Sequence, residues 1–169
     1  MTQADGTLRP LPLPENVPGR IWLTAMPGRF EKLAVFLGSA ENVGATDIVC
    51  LVTDEDIKAM SPEYAQARLS DALSLTRRDH PIPDRELPQD EAEFQGLIME
   101  ICAGLHEGRR MIVHCAAGIG RTGLLAQQIL MALGLEPSQA HLDVREAGSG
   151  PENAAQKDFC KKPFVQFRP

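Results

Sequence analysis

The chain reads as an α/β fold: one domain with a largely parallel central sheet flanked by helices. Three observations predict it. Short apolar, β-branched runs alternate with segments of helical periodicity. The length, 169 residues, suits one domain and leaves little room for a second. A loop with two internal glycines, residues 114–123, lies between an apolar run and an almost uniformly apolar helical segment, the place where open α/β sheets bind ligands.

The elements follow in order. Residues 1–19 hold four of the 13 prolines, Pro10, Pro12, Pro14 and Pro18. Proline lacks an N–H and fixes φ, which disfavours helix and central strand alike. An extended, Pro-rich N-terminal arm over 1–19 is therefore expected, leading into a domain over 20–169. Arg20-Ile21-Trp22-Leu23 reads as a first strand, ended by Pro27-Gly28. Phe30, Leu33, Ala34 and Leu37 recur at helical spacing, with a stop around Gly38 to Gly44. The run Asp47 to Val52 is a buried, parallel strand by its β-branched content. Thr53 suits the cap of a short helix whose first turn holds Asp54, Glu55 and Asp56. A helix from Ser61-Pro62 to about Leu73 comes next, then a strand over 74–78 and the loop His80-Pro81-Ile82-Pro83-Asp84. Asp90 and Glu93 open a helix with one apolar stripe, Phe94, Leu97, Ile98, Ile101 and Leu105, stopped by Gly108. Met111-Ile112-Val113 is a buried strand ending at His114-Cys115. Residues 122–134 are apolar nearly all round and predict a core helix, with shorter helices near 138–147 and 153–161.

Composition narrows the function. Hydrophobic residues make up 43% and charged residues 24%, enough for a packed core. The net charge of −6 argues against nucleic acid or an anionic membrane as partner, since both need an electropositive face. No apolar stretch is long enough to span a bilayer and no secretory leader is legible, so a cytoplasmic location is expected. Cys50, Cys102, Cys115 and Cys160 are widely spaced without a CxxC pair, which predicts reduced thiols and no zinc site. His80, His106 and His141 lack metal-ligand spacing, so neither metal nor cofactor is expected.

The chemistry concentrates in His114-Cys115-Ala116-Ala117-Gly118-Ile119-Gly120-Arg121-Thr122-Gly123. Glycines at 118 and 120 let the backbone fold back and aim several N–H groups inward. Together with the helix N-terminus near Arg121, they form an anion cradle, a phosphate-binding loop between a buried strand and a buried helix. Arg121 adds a permanently charged fork suited to two oxygens of one phosphate. Cations at a helix start oppose its dipole, and that placement itself points to a neighbouring anion. Cys115 lies at the mouth of this cup, where positive surroundings favour a thiolate, a nucleophile aimed at phosphorus. The stretch 118–123 also satisfies GxGxxG, but the acidic strand end required about 20 residues later is missing, so a dinucleotide fold is rejected.

These residues match the HCxxGxxR[S/T] signature at every fixed position, and the chain resembles the cysteine-dependent protein tyrosine/dual-specificity phosphatases, most of all the small kinase-associated phosphatase-like group. Met26-Pro27-Gly28, Leu51-Val52-Thr53 and Pro81-Ile82-Pro83-Asp84 extend the resemblance over about residues 20–160. It implies hydrolysis of phosphotyrosine, with phosphoserine and phosphothreonine as further substrates, through a phosphocysteine intermediate and without metal. Cys115 would be the nucleophile. Ala116, Ala117, Gly118, Ile119, Gly120 and Arg121 would bind the phosphoryl group. Asp84, 31 residues before Cys115, would be the general acid, with Asp79 and Asp90 as competitors for that role. His114 would orient the loop, Thr122 would lend its hydroxyl to the sulfur, and Gln156 would position water. The preceding Gly148-Ser149-Gly150-Pro151 departs from the relatives' pattern.

Two other readings stand beside this one: a phosphatase of a non-protein phosphomonoester, and a phosphoprotein-binding module without turnover. The uncharged variable positions of the loop, Ala116, Ala117, Ile119 and Gly120, disfavour highly phosphorylated inositols, although Arg77, Arg78 or Arg85 could add charge from outside. The short chain implies a shallow cleft. Cys50 is read as a small buried hydrophobe or, as in some relatives, a redox partner of Cys115. Lys157, Lys161, Lys162 and Arg168 read as a solvated C-terminal face. The arm is assigned no site residue, so loss of 1–15 should leave activity largely intact.

Overall fold

The computed structural model describes residues 6–169. Its strands are β1 (Arg9–Leu11), β2 (Arg20–Thr24), β3 (Asp47–Cys50), β4 (Thr76–Asp79) and β5 (Arg110–His114), in one sheet of order β1-β2-β5-β3-β4. Every pairing is parallel except that of β1 with β2. The helices are α1 (Leu33–Asn42), α2 (Asp54–Met60), α3 (Pro62–Leu69), α4 (Glu91–His106), α5 (Gly120–Ala132), α6 (Pro137–Glu146) and α7 (Ala154–Phe159). The predicted α/β class holds.

β5 is the central strand, and Met111, Ile112 and Val113 are fully buried between β2 and β3. Its last residue, His114, lies opposite Thr24 and Cys50, so three parallel strands end together. α5 leaves from that end with all its residues buried, packed on α4, α6 and α7. A helix apolar all round has to sit inside the core, and this one carries the functional loop on its N-terminus.

At the opposite end of the strands, the carboxylate of Asp47 is fully buried. It accepts from Arg109 Nε at 2.7 Å and Nη2 at 2.8 Å, from the Thr46 hydroxyl at 2.5 Å, and from Arg78. Burial alone pushes the carboxyl up; the hydrogen bonds from Arg109, Thr46 and Arg78 outweigh it and hold the group below its ordinary value.

Several boundaries move. The first five residues of the expected Pro-rich arm lie outside the described residues; of the rest, Arg9–Leu11 is an edge strand of the sheet, with Pro10 opposite Trp22; an edge is where a strand tolerates proline. Phe30 is exposed and lies under the Arg29 guanidinium, 4.7 Å from its carbon. The α1 stripe is instead Leu33, Phe36 and Ala40, and the helix runs through Gly38 to Asn42. β3 stops at Cys50, because the Leu51 carbonyl turns to accept from Ile82 N–H at 3.1 Å. α3 ends at Leu69, and the left-handed backbone of Asp71 and Ser74 (φ 54° and 53°) separates it from β4. No described helix is long and apolar enough to cross a membrane.

Candidate active site

The loop after β5 is shaped by what takes its carbonyls. His114 is fully buried; its Nδ1–H donates to the Cys115 carbonyl at 3.1 Å, so its Nε2 accepts from the Tyr64 hydroxyl at 2.9 Å. Burial pushes this imidazole down to about 4, so it is neutral and this tautomer is fixed. The Ala116 carbonyl accepts from Met26 N–H at 3.2 Å, and that of Ile119 from Gly123 and Gly150 N–H at 2.8 and 3.1 Å. The Gly118 carbonyl accepts from Arg9 Nη2 at 2.5 Å and from the Ser149 hydroxyl at 2.6 Å.

With carbonyls 115, 116, 118 and 119 drawn away, the amides are left over. No backbone N–H from Ala116 to Ile119 donates to an acceptor among the described residues, and the first N–H groups of α5 have no intrahelical partner. This is an anion cradle in hydrogen-bond terms. Two glycines are obligatory in it. Gly118 has φ +73°, and a Cβ there would come within 2.4 Å of the Thr24 backbone; a Cβ on Gly123 would come within 2.3 Å of Gly150 N.

Cys115 is buried at the base of the loop. Arg121, also buried, donates from Nη1 to the Ile82 carbonyl at 2.8 Å and from Nη2 to Asp84 Oδ1 at 3.1 Å. Ile82 is itself buried and anchored on Leu51, so the 80–84 loop is fixed at Ile82 while the Asp84 side chain stays 66% exposed. Only one of the three candidate acids meets the loop. Asp79 pairs with Arg68 and Arg77, and Asp90 caps α4 by accepting from Glu93 N–H.

Thr122 is buried with a hydroxyl that has no hydrogen-bond partner among the described residues, a donor left available beside the loop. Gln156 is fully buried; its Oε1 accepts from Glu152 N–H at 2.8 Å and its Nε2 donates to the Glu86 carbonyl at 3.4 Å. It thereby ties the segment after Asp84 to the segment before α7. The Cys50 thiol faces the Val52 carbonyl at 3.7 Å, and burial pushes it up, which keeps it protonated. The four cysteines are free thiols, and no described cluster of His, Cys, Asp or Glu could hold a metal.

Sequence reasoning passes over three supports. Tyr64, the one tyrosine, carries the His114 contact and has Arg68 over its ring at 5.5 Å. Ser149 lies in the stretch that departs from the relatives' pattern. Arg9 comes from the arm assigned no site residue; it also donates from Nη1 to the Ala147 carbonyl at 2.7 Å and to the Ser149 hydroxyl at 3.1 Å. The arm is therefore part of the structure that holds the loop. None of the three left a usable signal, because each acts on a partner 31 or more positions away along the chain.

Comparisons with known proteins bear on the family and the fold. The model of the Swiss Army Knife protein DSP-PTPase phosphatase domain matches residues 17–161. No curated protein sequence matches the chain. Among solved structures, a kinase-associated phosphatase with its catalytic-site cysteine replaced by serine superposes with a TM-score of 0.80 at 21% identity, covering 94% of both chains. The human tyrosine phosphatase-like serine/threonine/tyrosine-interacting protein superposes with a TM-score of 0.67 at 20% identity, covering 91% of this chain and 93% of that one. A cysteine-to-serine variant of TpbA from P. aeruginosa, in complex with pTyr, superposes with a TM-score of 0.51 at 16% identity, covering 90% and 93%.

Proposed function

The chain belongs to the DSP-PTPase phosphatase domain family of Swiss Army Knife proteins, a family of cysteine-based dual-specificity and tyrosine phosphatases, and on that premise we propose that it hydrolyses phosphotyrosine in proteins, with phosphoserine and phosphothreonine as further substrates, through a phosphocysteine intermediate. The observation that carries this reading is the Arg121–Asp84 contact, which sets a carboxyl group beside the cradle that Cys115 opens. The loop amides and the remaining guanidinium N–H groups of Arg121 take the phosphoryl oxygens. The Cys115 sulfur attacks phosphorus in line; the P–S bond forms as the P–O bond to the leaving oxygen breaks, and Asp84 gives that oxygen its proton. Water then attacks the phosphocysteine, Asp84 takes the water's proton, and the P–S bond breaks to release inorganic phosphate. Thr122 has a free hydroxyl to donate to the departing sulfur, and Gln156 fixes the segment behind the acid.

Turnover of p-nitrophenyl phosphate at about pH 6 in the presence of a chelator tests the reading. Activity is expected, and its absence from folded protein rejects it. Cys115→Ser is expected to abolish turnover while still binding phosphate. Asp84→Asn is expected to lower kcat by about 100-fold and flatten the basic limb of the pH profile; if Asp90→Asn does so instead, the acid is wrongly assigned.

A further inference from the structure

We propose that Arg68 is a positioning residue for the reaction: it sets the direction of the hydrogen bonds that run from Tyr64 through His114 to the Cys115 carbonyl. This deepens the phosphatase reading and rests on it. Arg68 is a cation in the interior, 8% exposed, on α3 one helical turn after Tyr64. Two carboxylates from two other elements aim it. Its Nη2 donates at 3.2 Å to Asp54 Oδ1 at the start of α2, and its Nη1 donates at 3.3 Å to Asp79 Oδ1 at the end of β4. Arg77 completes the brace, donating to the Arg68 carbonyl at 2.8 Å and to Asp79 Oδ2 at 2.6 Å. Asp54 is 78% exposed and Asp79 36%. Pairs with exposed carboxylates add little stability, so stability alone gives small reason to bury the cation.

The reason lies in what the guanidinium faces. It turns N–H toward the Tyr64 hydroxyl, and its carbon lies 5.5 Å from the ring centre. A guanidinium has donors only, whereas a phenol O–H both donates and accepts. Against Arg68 the Tyr64 oxygen can only accept, so its proton is left for His114 Nε2 at 2.9 Å. Nε2 is then the bare nitrogen of the neutral ring. The ring proton sits on Nδ1, which donates to the Cys115 carbonyl at 3.1 Å. With a carboxylate or amide oxygen in place of Arg68, the phenol would donate to that oxygen and accept from a protonated Nε2. Nδ1 would then turn a lone pair to the Cys115 carbonyl, two acceptors face to face. Tyr64 and His114 are fully buried, where such a mismatch is costly. The peptide after Cys115 has one orientation that gives its carbonyl to His114 and leaves the Ala116 N–H to the cradle, and Arg68 selects it.

The test reads His114 and turnover separately. Nitrogen NMR of protein carrying isotopically labelled histidine, at neutral pH, is expected to show His114 as the Nδ1–H tautomer in the wild type. In Arg68→Gln, whose amide oxygen offers the Tyr64 hydroxyl a second acceptor, the Nε2–H tautomer is expected to appear. In Arg68→Lys, again a donor-only cation, it is expected to stay absent. With p-nitrophenyl phosphate, Arg68→Gln is expected to lower kcat about three- to ten-fold and change KM by less than about two-fold, and Arg68→Lys to restore part of the rate. In a Tyr64→Phe background the same Arg68→Gln change is expected to lower kcat no further, because its path runs through the hydroxyl already removed. A merely structural arginine would give additive losses and an unaltered His114 spectrum; either result overturns the proposal. If Arg68→Gln does not fold, Asp54→Ala decides, since that exposed carboxylate holds one arm of the guanidinium. A mixture of tautomers is then expected, and a wild-type spectrum overturns the assignment. If the wild type does not turn over p-nitrophenyl phosphate, it is the phosphatase reading that fails, and the His114 spectra still decide what Arg68 does.

Discussion

At the scale of single residues, the loop depends on a buried relay: Tyr64 donates to His114, and His114 donates to the Cys115 carbonyl. Tyr64→Phe keeps the ring but leaves a buried imidazole nitrogen without its donor, at a cost of about 1–2 kcal/mol. A urea titration should read that loss, with a roughly three- to ten-fold drop in kcat as the loop loosens. The imidazole also makes stability depend on pH. An ordinary histidine titrates near 6.5 and this one near 4, so below 6.5 the unfolded chain takes up a proton that the folded chain refuses. Stability is therefore complete above that value and declines as pH falls toward 4, by on the order of 3 kcal/mol. Asp47, whose carboxyl is also held down, adds a loss of the same sign on acidification. Denaturation midpoints at neutral and mildly acid pH measure the sum; a flat profile would show that His114 is not buried in its neutral form. Residue types at these positions were legible in advance for His114, Cys115 and Arg121, because a short motif carries them. Tyr64 was not, since its partner is 50 positions away along the chain.

At the scale of elements, the proline-rich segment changes meaning. Prolines at 10, 12, 14 and 18 correctly exclude helix and central strand, but they do not exclude an antiparallel edge strand. That strand delivers Arg9 to the Gly118 and Ala147 carbonyls. Arg9→Ala should cost about 1.5–3 kcal/mol, as for hydrogen bonds to a charged group. It should also lower kcat more than it raises KM, with Arg9→Lys restoring part of the rate; equal activity in all three forms would return the arm to the status of an appendage. The same limit explains the shifted helices. Periodicity located α4 and α5 well, because their stripes are long and end at caps or glycines. It misplaced the start of α1, where Phe30 found a cation instead of the core, and overran α3, where left-handed residues rather than proline or glycine make the break.

At the scale of the whole molecule, the two ends of the sheet have separate tasks. The ends of β2, β3 and β5 carry the loop, while the starts of β3 and β5, with Arg78 of β4, gather around the Asp47 carboxylate. Asp47→Asn should cost about 3 kcal/mol by leaving Arg109 and Arg78 without their anion. That corresponds to roughly 6–12 °C in Tm for a chain of this size, while activity per folded molecule should hold at low temperature. A loss of activity without a loss of stability would show the two ends to be coupled. The sheet's outer borders carry one more consequence. One border strand has Pro10 at its centre, with no N–H to offer a newcomer; the other, β4, is Thr76-Arg77-Arg78-Asp79, whose side chains would set like charges face to face if two copies met. Neither border is a template on which another chain could continue the ladder, so the protein is built to be crowded with its own kind without zipping into fibrils.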